Sequence, residues 1–305
     1  MNREKSQGAA AGGRTIKYLM ILLAGSLWGT IGLFIKLLDE RGSTSEYTTL
    51  LRMSFAFLLL LVFTLIKEGP GAFRISRRML LSCMLLGFVS MSLNNLCYSN
   101  AVSRLGMSLA AAILYLAPLF TSVQSKLLFH ETIGPRKILA LFLNVAGCVL
   151  AATGGNFAEV TVSLAGLLFA LGAALAYSTQ NIFGRLATDE GSPLVVATYN
   201  FFFATVFTAI VTRPWTAMAR PFDPQILLFG FLFGLIPTTL AYLLYFAGIQ
   251  GLTETSKVPV LCSMELVVAT ILGIAVFREA VSPVAVGGIA LILVSIILMN
   301  KQSTI

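Results

Sequence analysis

About ten stretches of roughly 20 mostly apolar residues follow one another along this 305-residue chain, with only short connections between them. A helix of about 20 apolar residues is long enough to cross the hydrocarbon core of a bilayer. Only 11% of the residues are charged, whereas roughly 25% are charged in an ordinary soluble domain. The sequence therefore predicts an all-α integral membrane protein, with about ten spans at residues 18–38, 47–66, 79–99, 107–128, 138–153, 164–185, 194–211, 226–249, 256–277 and 284–299.

The connections are too short to hold a soluble domain, so the function should be carried out within the membrane. Residues 1–17 are mostly polar, basic and rich in Gly and Ala, which predicts a short disordered cytoplasmic tail. The net charge of +8 comes from Lys and Arg spread over the connections, which indicates control of topology rather than binding of nucleic acid. We expect a multi-pass protein of the cell membrane with both termini in the cytoplasm.

The chain contains an internal repeat. TIGLFIKLL from Thr30 aligns with TQNIFGRLA from Thr179, LNNLCYSNA from Leu93 aligns with LAYLLYFAG from Leu240, and LLFHET aligns with AVFREA. These blocks occur in the same order and pair Lys36 with Arg185, Phe129 with Phe277 and Glu131 with Glu279. The predicted repeats are residues 18–155 and 156–305, with five helices each. Because five is an odd number, the second repeat enters the membrane inverted, as is typical of secondary transporters.

The same segments resemble a known family. SLWGTIGLFIKLL in the first span, Arg52 in the second, LAPLFTSVQSKLLFHE in the fourth, and MELVVATILGIAVFRE followed by VSPVAVGGIALILVSIIL in the last two are similar to the EamA family. This family belongs to the drug/metabolite transporter superfamily. The resemblance implies a ten-helix carrier, often an exporter of amino acids or other small metabolites. It also implies a midplane cavity lined by helices 1, 3, 4, 6, 8 and 9.

Glu265 lies near the middle of the ninth span. A charge facing lipid at this depth would cost roughly 2.5–3.5 kcal/mol or more, so the side chain should face protein or water. It can carry a proton, because removal from water favours the neutral form of a carboxyl group. It can also bind a substrate ammonium group, or serve in a structural ion pair or as a permanently protonated hydrogen-bond donor.

Arg52 in the second span also has several potential roles. It can reach the interface, hold a substrate carboxylate or pair with an acid of the 39–46 loop. We assign Arg52 and Glu265 a candidate charge or gating role. Lys36 and Arg185 lie near helix ends, where anchoring at the interface is expected.

Further polar and aromatic side chains occupy the middle of their spans. Hydrocarbon offers them no hydrogen-bond partner, so they should point inward and line an aromatic and amide-rich cavity. Each can also form an interhelical hydrogen bond without touching a ligand. With Glu265, the candidate substrate-binding residues are Trp28, Thr30, Asn94, Asn95, Tyr115, Tyr177, Gln180, Tyr242 and Ser263.

The sequence indicates an alternating-access secondary transporter for an amino acid or related zwitterion, acting as an exporter with a proton as candidate coupling ion. The four cysteines are isolated and His130 is the one histidine, so we expect no metal site and no cofactor. No motif typical of a membrane enzyme or an ATP-driven pump occurs. A channel-like facilitator and a membrane enzyme without a recognisable motif remain the alternatives.

Overall fold

The computed structural model describes residues 2–156, 163–213, 223–278 and 281–300, without the side chains of residues 2–14, 107–108 and 300. In this part of the chain nine helices are long and apolar enough to cross a membrane, and a tenth apolar helix is shorter. The predicted all-α membrane fold is confirmed. The helices are α1 Thr15–Asp39, α2 Ser45–Lys67, α3 Arg77–Leu105, α4 Leu109–Phe129, α5 Pro135–Thr153, α6 Leu164–Thr188, α7 Pro193–Thr212, α8 Pro224–Ile249, α9 Thr255–Phe277 and α10 Pro283–Met299.

The helix starts follow local sequence signals. Hydroxyl groups cap several of them; for example, Thr44 Oγ1 accepts from the amide of Tyr47 and Ser76 Oγ accepts from the amide of Met79. The beginning of α1 differs from the prediction, because its helical backbone extends back to Asn2. The segment expected to be a disordered tail contains no proline, and its Ala, Glu, Gln, Lys and Arg residues favour a helix and offset its three glycines.

Two of the membrane helices are broken at related places. In α4 one helical segment ends at Leu114 and the next, Ala117–Phe129, has Pro118 in its first turn. In α9 the segment Val258–Cys262 ends at Ser263, and Met264–Phe277 follows. Proline supplies no amide hydrogen and fits the first turn of a helix, which explains the restart of α4 at Pro118. The breaks release backbone groups in the interior of the protein, where cavities or other helices can receive them.

Helices α3 and α8 share another irregularity. The residues Leu86–Leu93 of α3 and Leu235–Leu240 of α8 are π-helical, with one extra residue in the turn. Such stretches are uncommon and occur frequently at functional sites. Helix α1 is also interrupted, between Trp28 and Ile31, whereas its counterpart α6 is continuous over Leu164–Thr188.

The packing of the helices is symmetrical. Extensive contacts join α1 with α8, α2 with α7, α3 with α6, and α5 with α10. If each helix is exchanged with the one five places away in the chain, the α1–α8 contact becomes the α6–α3 contact. The α2–α7 and α5–α10 contacts then map onto themselves. The left-handed residues that end α4 and α9, His130 and Arg278, also correspond, with φ of 54° at each. The repeats are therefore related by a pseudo-twofold axis. Glu279, the proposed counterpart of Glu131, lies outside the described residues.

Two glycines place α1 directly against the break in α9. A Cβ atom on Gly25 would approach the carbonyl oxygen of Cys262 to 2.8 Å, and one on Gly29 would approach that of Glu265 to 2.7 Å. Side chains at these positions would push the helices apart, so the close approach requires glycine. Trp28, which precedes Gly29, is thereby held beside the segment that carries Glu265.

Candidate functional site

Glu265 follows the break in α9, and Tyr115 occupies the break in α4. The hydroxyl group of Tyr115 donates a hydrogen bond to Oε1 of Glu265 over 3.4 Å, a length that indicates a weak bond. The two repeat-related breaks therefore meet in the interior. Among the described residues, Glu265 has no ion-pair partner.

Two cavities share Glu265 in their walls. The smaller has a volume of about 20 Å³, room for about one water molecule, and the larger about 210 Å³. The smaller is lined by Trp28, Tyr115, Ala117, Pro118, Asn144, Cys148, Tyr177, Gln180, Asn181, Pro259, Cys262, Ser263 and Glu265. The larger is lined by Trp28, Ile31, Arg52, Ser90, Met91, Asn94, Asn95, Tyr98, Leu114, Tyr177, Gln180, Tyr242 and Glu265.

Aromatic rings form one side of this region. The ring of Trp28 lies 5.1 Å from that of Tyr242 and 5.3 Å from that of Tyr245 between centroids, and Phe201 packs edge-on against Tyr242 at 4.9 Å. These separations are typical of favourable aromatic pairs. The indole Nε1 of Trp28 is buried without a hydrogen-bond partner. A rigid apolar wall with one unused donor can contact the apolar part of a solute and donate one hydrogen bond to it.

Hydrogen bonds fix the amide side chains of α6. The Tyr242 hydroxyl donates to Gln180 Oε1 over 3.3 Å, and the Tyr245 hydroxyl donates to Asn181 Oδ1 over 2.9 Å. Asn181 Nδ2 donates in turn to Thr121 Oγ1 on α4. This chain of bonds joins α8, α6 and α4, and it orients the amides of α6 toward the cavities.

Nine of the ten candidate substrate-binding residues line at least one cavity. Trp28, Tyr177, Gln180 and Glu265 line both cavities; Asn94, Asn95 and Tyr242 line only the larger, and Tyr115 and Ser263 only the smaller. Thr30 lines neither cavity, because it lies at the interruption of α1 and donates its hydroxyl to the carbonyl of Leu27 over 2.8 Å. That bond replaces part of the helical bonding lost there.

Several lining residues were not predicted. Asn144 on α5 is fully buried and donates to Ser263 Oγ over 2.7 Å and to Ser295 Oγ over 3.1 Å. It ties the break in α9 to α5 and α10. Asn144 could have been predicted in the same way as the other polar residues, because it is an amide within an apolar run and hydrocarbon offers it no hydrogen-bond partner. Asn181 and Tyr98 carry the same signal.

Arg52 adds α2 to the helices that line the larger cavity. Its Nε is shielded from solvent, and its side chain makes no hydrogen bond or ion pair within the described part of the chain. Pairing with an acid of the 39–46 loop, one of the three roles that the sequence left open for Arg52, is therefore not observed among these residues. Its guanidinium carbon lies 5.2 Å from the centroid of the Phe233 ring.

A separate polar cluster lies at one end of the helix bundle. The buried carboxylate of Glu131, after α4, accepts from the amides of Thr255 and Ser256 over 2.6 and 3.1 Å and from the Ser256 hydroxyl over 2.8 Å. Arg185 Nη1 donates to Glu131 over 3.1 Å and lies over Phe129, so Arg185 contacts protein rather than anchoring at the interface. This Glu131 cluster joins the end of α4, the end of α6 and the start of α9.

A second set of ion pairs lies beside this cluster in the connection between α8 and α9. Glu254 pairs with Lys137 and with Lys257, each over 2.7 Å. Burial alone raises the pKa of Glu254, but the hydrogen bonds from Lys137 and Lys257 outweigh this effect and lower its pKa below the ordinary value. These ion pairs therefore stabilise the folded protein at any pH above the ordinary pKa of a glutamate. This contribution is lost as the pH falls through the lowered pKa of Glu254.

Comparisons with known proteins agree with this architecture. A transporter of Archaeoglobus fulgidus named as uncharacterized is 25% identical over 92% of this chain and 95% of that protein. The inner membrane transporter YicL of Salmonella typhimurium, also named as uncharacterized, is 24% identical over 93% and 95%. YwfM, another uncharacterized transporter, from Bacillus subtilis, is 23% identical over 94% and 95%.

A solved crystal structure shares the fold, with a TM-score of 0.76 and 17% identity over 93% of this chain and 96% of the other. The model of the EamA-like transporter family matches twice, over residues 15–153 and 164–301. The two matches coincide with the two five-helix repeats and together cover nearly the whole chain. The protein thus belongs to the EamA-like transporter family.

Proposed function

We propose that the protein is an alternating-access secondary transporter that exports a small organic metabolite, an amino acid or related zwitterion, across the cell membrane. The observation that carries this proposal is the position of Glu265, which lies where the broken helices meet and belongs to the walls of both cavities. An ionisable residue in a membrane interior is expensive to bury and usually marks a substrate or ion pathway. Export is the direction that the family resemblance implies.

The Glu131 cluster supports alternation between two states. It lies where α4 and α6 end and α9 begins, whereas Arg52 lies about two turns into α2 and so toward the opposite face. Arg52 lines the larger cavity, which therefore reaches toward the Arg52 face, whereas the Glu131 cluster joins helix ends at the other face. In a carrier these three helix ends must separate when the site opens to that face. A channel-like facilitator needs no such separation.

Glu265 has one of two roles in this cycle. It carries the coupled proton, or it binds the ammonium group of the solute as a carboxylate. Either role gives Glu265 a different interaction energy in the two states, and only such a difference can shift the equilibrium between them. The Tyr115 hydroxyl stabilises the carboxylate in one state and leaves its second oxygen available.

The substitution Glu265→Gln tests this function in reconstituted vesicles. Amino-acid uptake, exchange and binding are measured from about pH 5.5 to 8.5, a range above the lowered pKa of Glu254, so its ion pairs stay formed. If the variant loses pH-driven transport but retains exchange, Glu265 carries the coupled proton. If the variant binds the amino acid more weakly, Glu265 binds the ammonium group. Glu46→Gln, an exposed acid at the start of α2, is the matched control.

Two results would contradict the proposal. Wild-type behaviour of the Glu265→Gln variant in every assay would make the glutamate merely structural. Flux that rises in proportion to solute concentration without saturating would favour a channel-like facilitator.

A further inference from the structure

We propose that Arg52 forms a carboxylate subsite in the larger cavity, so that the transported solute must carry an anionic end. With Glu265 in the same cavity, the substrate class becomes a zwitterion of about the size of leucine. This inference rests on the transport function proposed above. It assigns a specific role to a residue for which the sequence left three roles open.

The first argument is the missing counter-charge. Arg52 is half-buried, its Nε has no contact with solvent, and its side chain forms no hydrogen bond or ion pair with the described residues. A guanidinium remains charged at any physiological pH and offers five N–H donors. Charged groups inside membrane proteins are almost always paired or face a water-filled cavity. An anion that pairs with Arg52 can therefore reach it through the cavity that Arg52 lines.

The position of the guanidinium also argues against a role as an interfacial anchor. An arginine that reaches the interface extends its head group into the water and lipid head groups. Arg52 instead lines the larger cavity and lies over the face of Phe233, which is buried and stacks on Phe34 with 5.5 Å between ring centroids. The aromatic contact holds the guanidinium in place and uses none of its N–H groups, which stay available for a bidentate bond to a carboxylate.

The second argument is the arrangement of charge around the cavity. Of the residues that line it, Arg52 and Glu265 are the two with full charges, and they come from different repeats. No ion pair joins them, so both remain available to a ligand. A zwitterion can neutralise both charges at once, whereas a simple amine or a simple acid neutralises one and leaves the other without a partner.

The size of the cavity limits the solute. Its volume of about 210 Å³ is below the roughly 300–1,000 Å³ of sites for drug-sized ligands. Ile31, Met91 and Leu114 supply apolar surface beside the charged ends. These features suit a small amino acid with an apolar side chain, and leucine is the natural probe.

The test uses leucine and two analogues that each lack one charge. Isocaproate keeps the carboxylate and lacks the ammonium group, and isoamylamine keeps the ammonium group and lacks the carboxylate. Binding of each probe is measured on purified full-length protein for the wild type, Arg52→Gln, Arg52→Lys and Glu265→Gln. Arg104→Gln is the matched control, because Arg104 also lies over a phenylalanine ring, at 5.0 Å from Phe169, but lines neither cavity.

We expect Arg52→Gln to weaken the binding of leucine and of isocaproate by about 10- to 100-fold, the range for hydrogen bonds to charged groups. The affinity for isoamylamine should stay nearly unchanged. Retained amine binding also shows that the variant is folded. Arg52→Lys should have an intermediate effect, because lysine keeps the charge but not the planar fork. Arg104→Gln should match the wild type for all three probes.

Two results would overturn the inference, and they differ in what else they reject. Equal losses for all three probes in Arg52→Gln, or no loss for any, would remove the carboxylate role and leave the transport function in place. A wild-type protein that binds none of the three probes would reject the proposed substrate class itself, and the Arg52 subsite with it.

Discussion

At the scale of single residues, the interior is organised by a few polar side chains that each join two or more helices. Asn144 is the clearest example, since its amide contacts Ser263 at the break in α9 and Ser295 on α10. The two hydroxyls also donate to carbonyls of their own helices, over 2.6 Å each. The amide of Asn144 therefore ties the break of α9, two residues before Glu265, to α5 and α10.

We expect Asn144→Ala to lower the free energy of unfolding by about 1–2 kcal/mol, because it removes two interhelical hydrogen bonds worth up to about 1.7 kcal/mol each in a membrane. Unfolding of the purified protein in mixed micelles with increasing denaturing detergent measures this change. Asn100→Ala is the control, because the Asn100 amide donates to Leu96 of its own helix. Equal stability of the two variants would show that Asn144 does not hold the break.

Sequence reasoning found most of these residues by one physical rule, that an apolar solvent leaves polar groups no partner. It identified Glu265, Tyr115 and Gln180 in this way, but it could not show which polar side chains a neighbouring backbone carbonyl already satisfies. Thr30 illustrates this limit, since its hydroxyl bonds to Leu27 within the same helix. Whether the candidate residues bind substrate stays a prediction.

At the scale of helices, the lengths of the apolar runs made the positions of the membrane spans predictable. The spans agree with the sequence because a run of apolar residues has few alternatives in a bilayer. Pro118 signalled the break in α4, because a proline cannot donate to the preceding turn. The π-helical turn of α3 contains no proline, so its sequence carries no local signal, and its position depends on packing against α6 and α7.

The Glu131 cluster connects three helix ends through a buried carboxylate. We expect Glu131→Gln to lower stability by about 3 kcal/mol, because Arg185 keeps only Asp189, 3.8 Å away, as a counter-charge, and the amide group of glutamine cannot accept all the hydrogen bonds that the buried carboxylate accepts. The double variant with Arg185→Gln should lose less than the sum of the single losses, since the two residues interact directly. Unfolding in mixed micelles measures all three variants.

The surface pair of Arg78 and Glu190 provides the comparison. Its arginine is 71% exposed, so Arg78→Gln should cost less than about 1 kcal/mol. Strictly additive losses for Glu131 and Arg185 would mean that the two groups stabilise the protein independently, and the cluster would then not be a unit that opens and closes.

At the scale of the whole molecule, the repeat sets the architecture. The aligned blocks predicted two units of five helices, and the exchange symmetry of the helix contacts agrees with them. The relative placement of the units could not be predicted, because it depends on glycine contacts such as those of Gly25 and Gly29 that only three-dimensional packing reveals. The orientation in the membrane stays a prediction that rests on the distribution of Lys and Arg.

Labelling of introduced cysteines tests that orientation. In a variant with all four native cysteines replaced by serine, a membrane-impermeant maleimide added to intact cells should label Glu40→Cys, in the connection after α1. It should not label Gly71→Cys, in the connection after α2, until the cells are opened. Both positions are exposed. Labelling of Gly71→Cys alone on intact cells would place both termini outside.

The aromatic contacts of Trp28 have a practical consequence. The chain has two tryptophans, and Trp28 lies in the wall of both cavities with its indole N–H unbonded and two tyrosine rings beside it. Indole emission responds to hydrogen bonding and to the polarity of its surroundings. With Trp215 replaced by phenylalanine, the protein would contain a single tryptophan at the proposed solute site, so that occupancy could be followed in real time without any attached label.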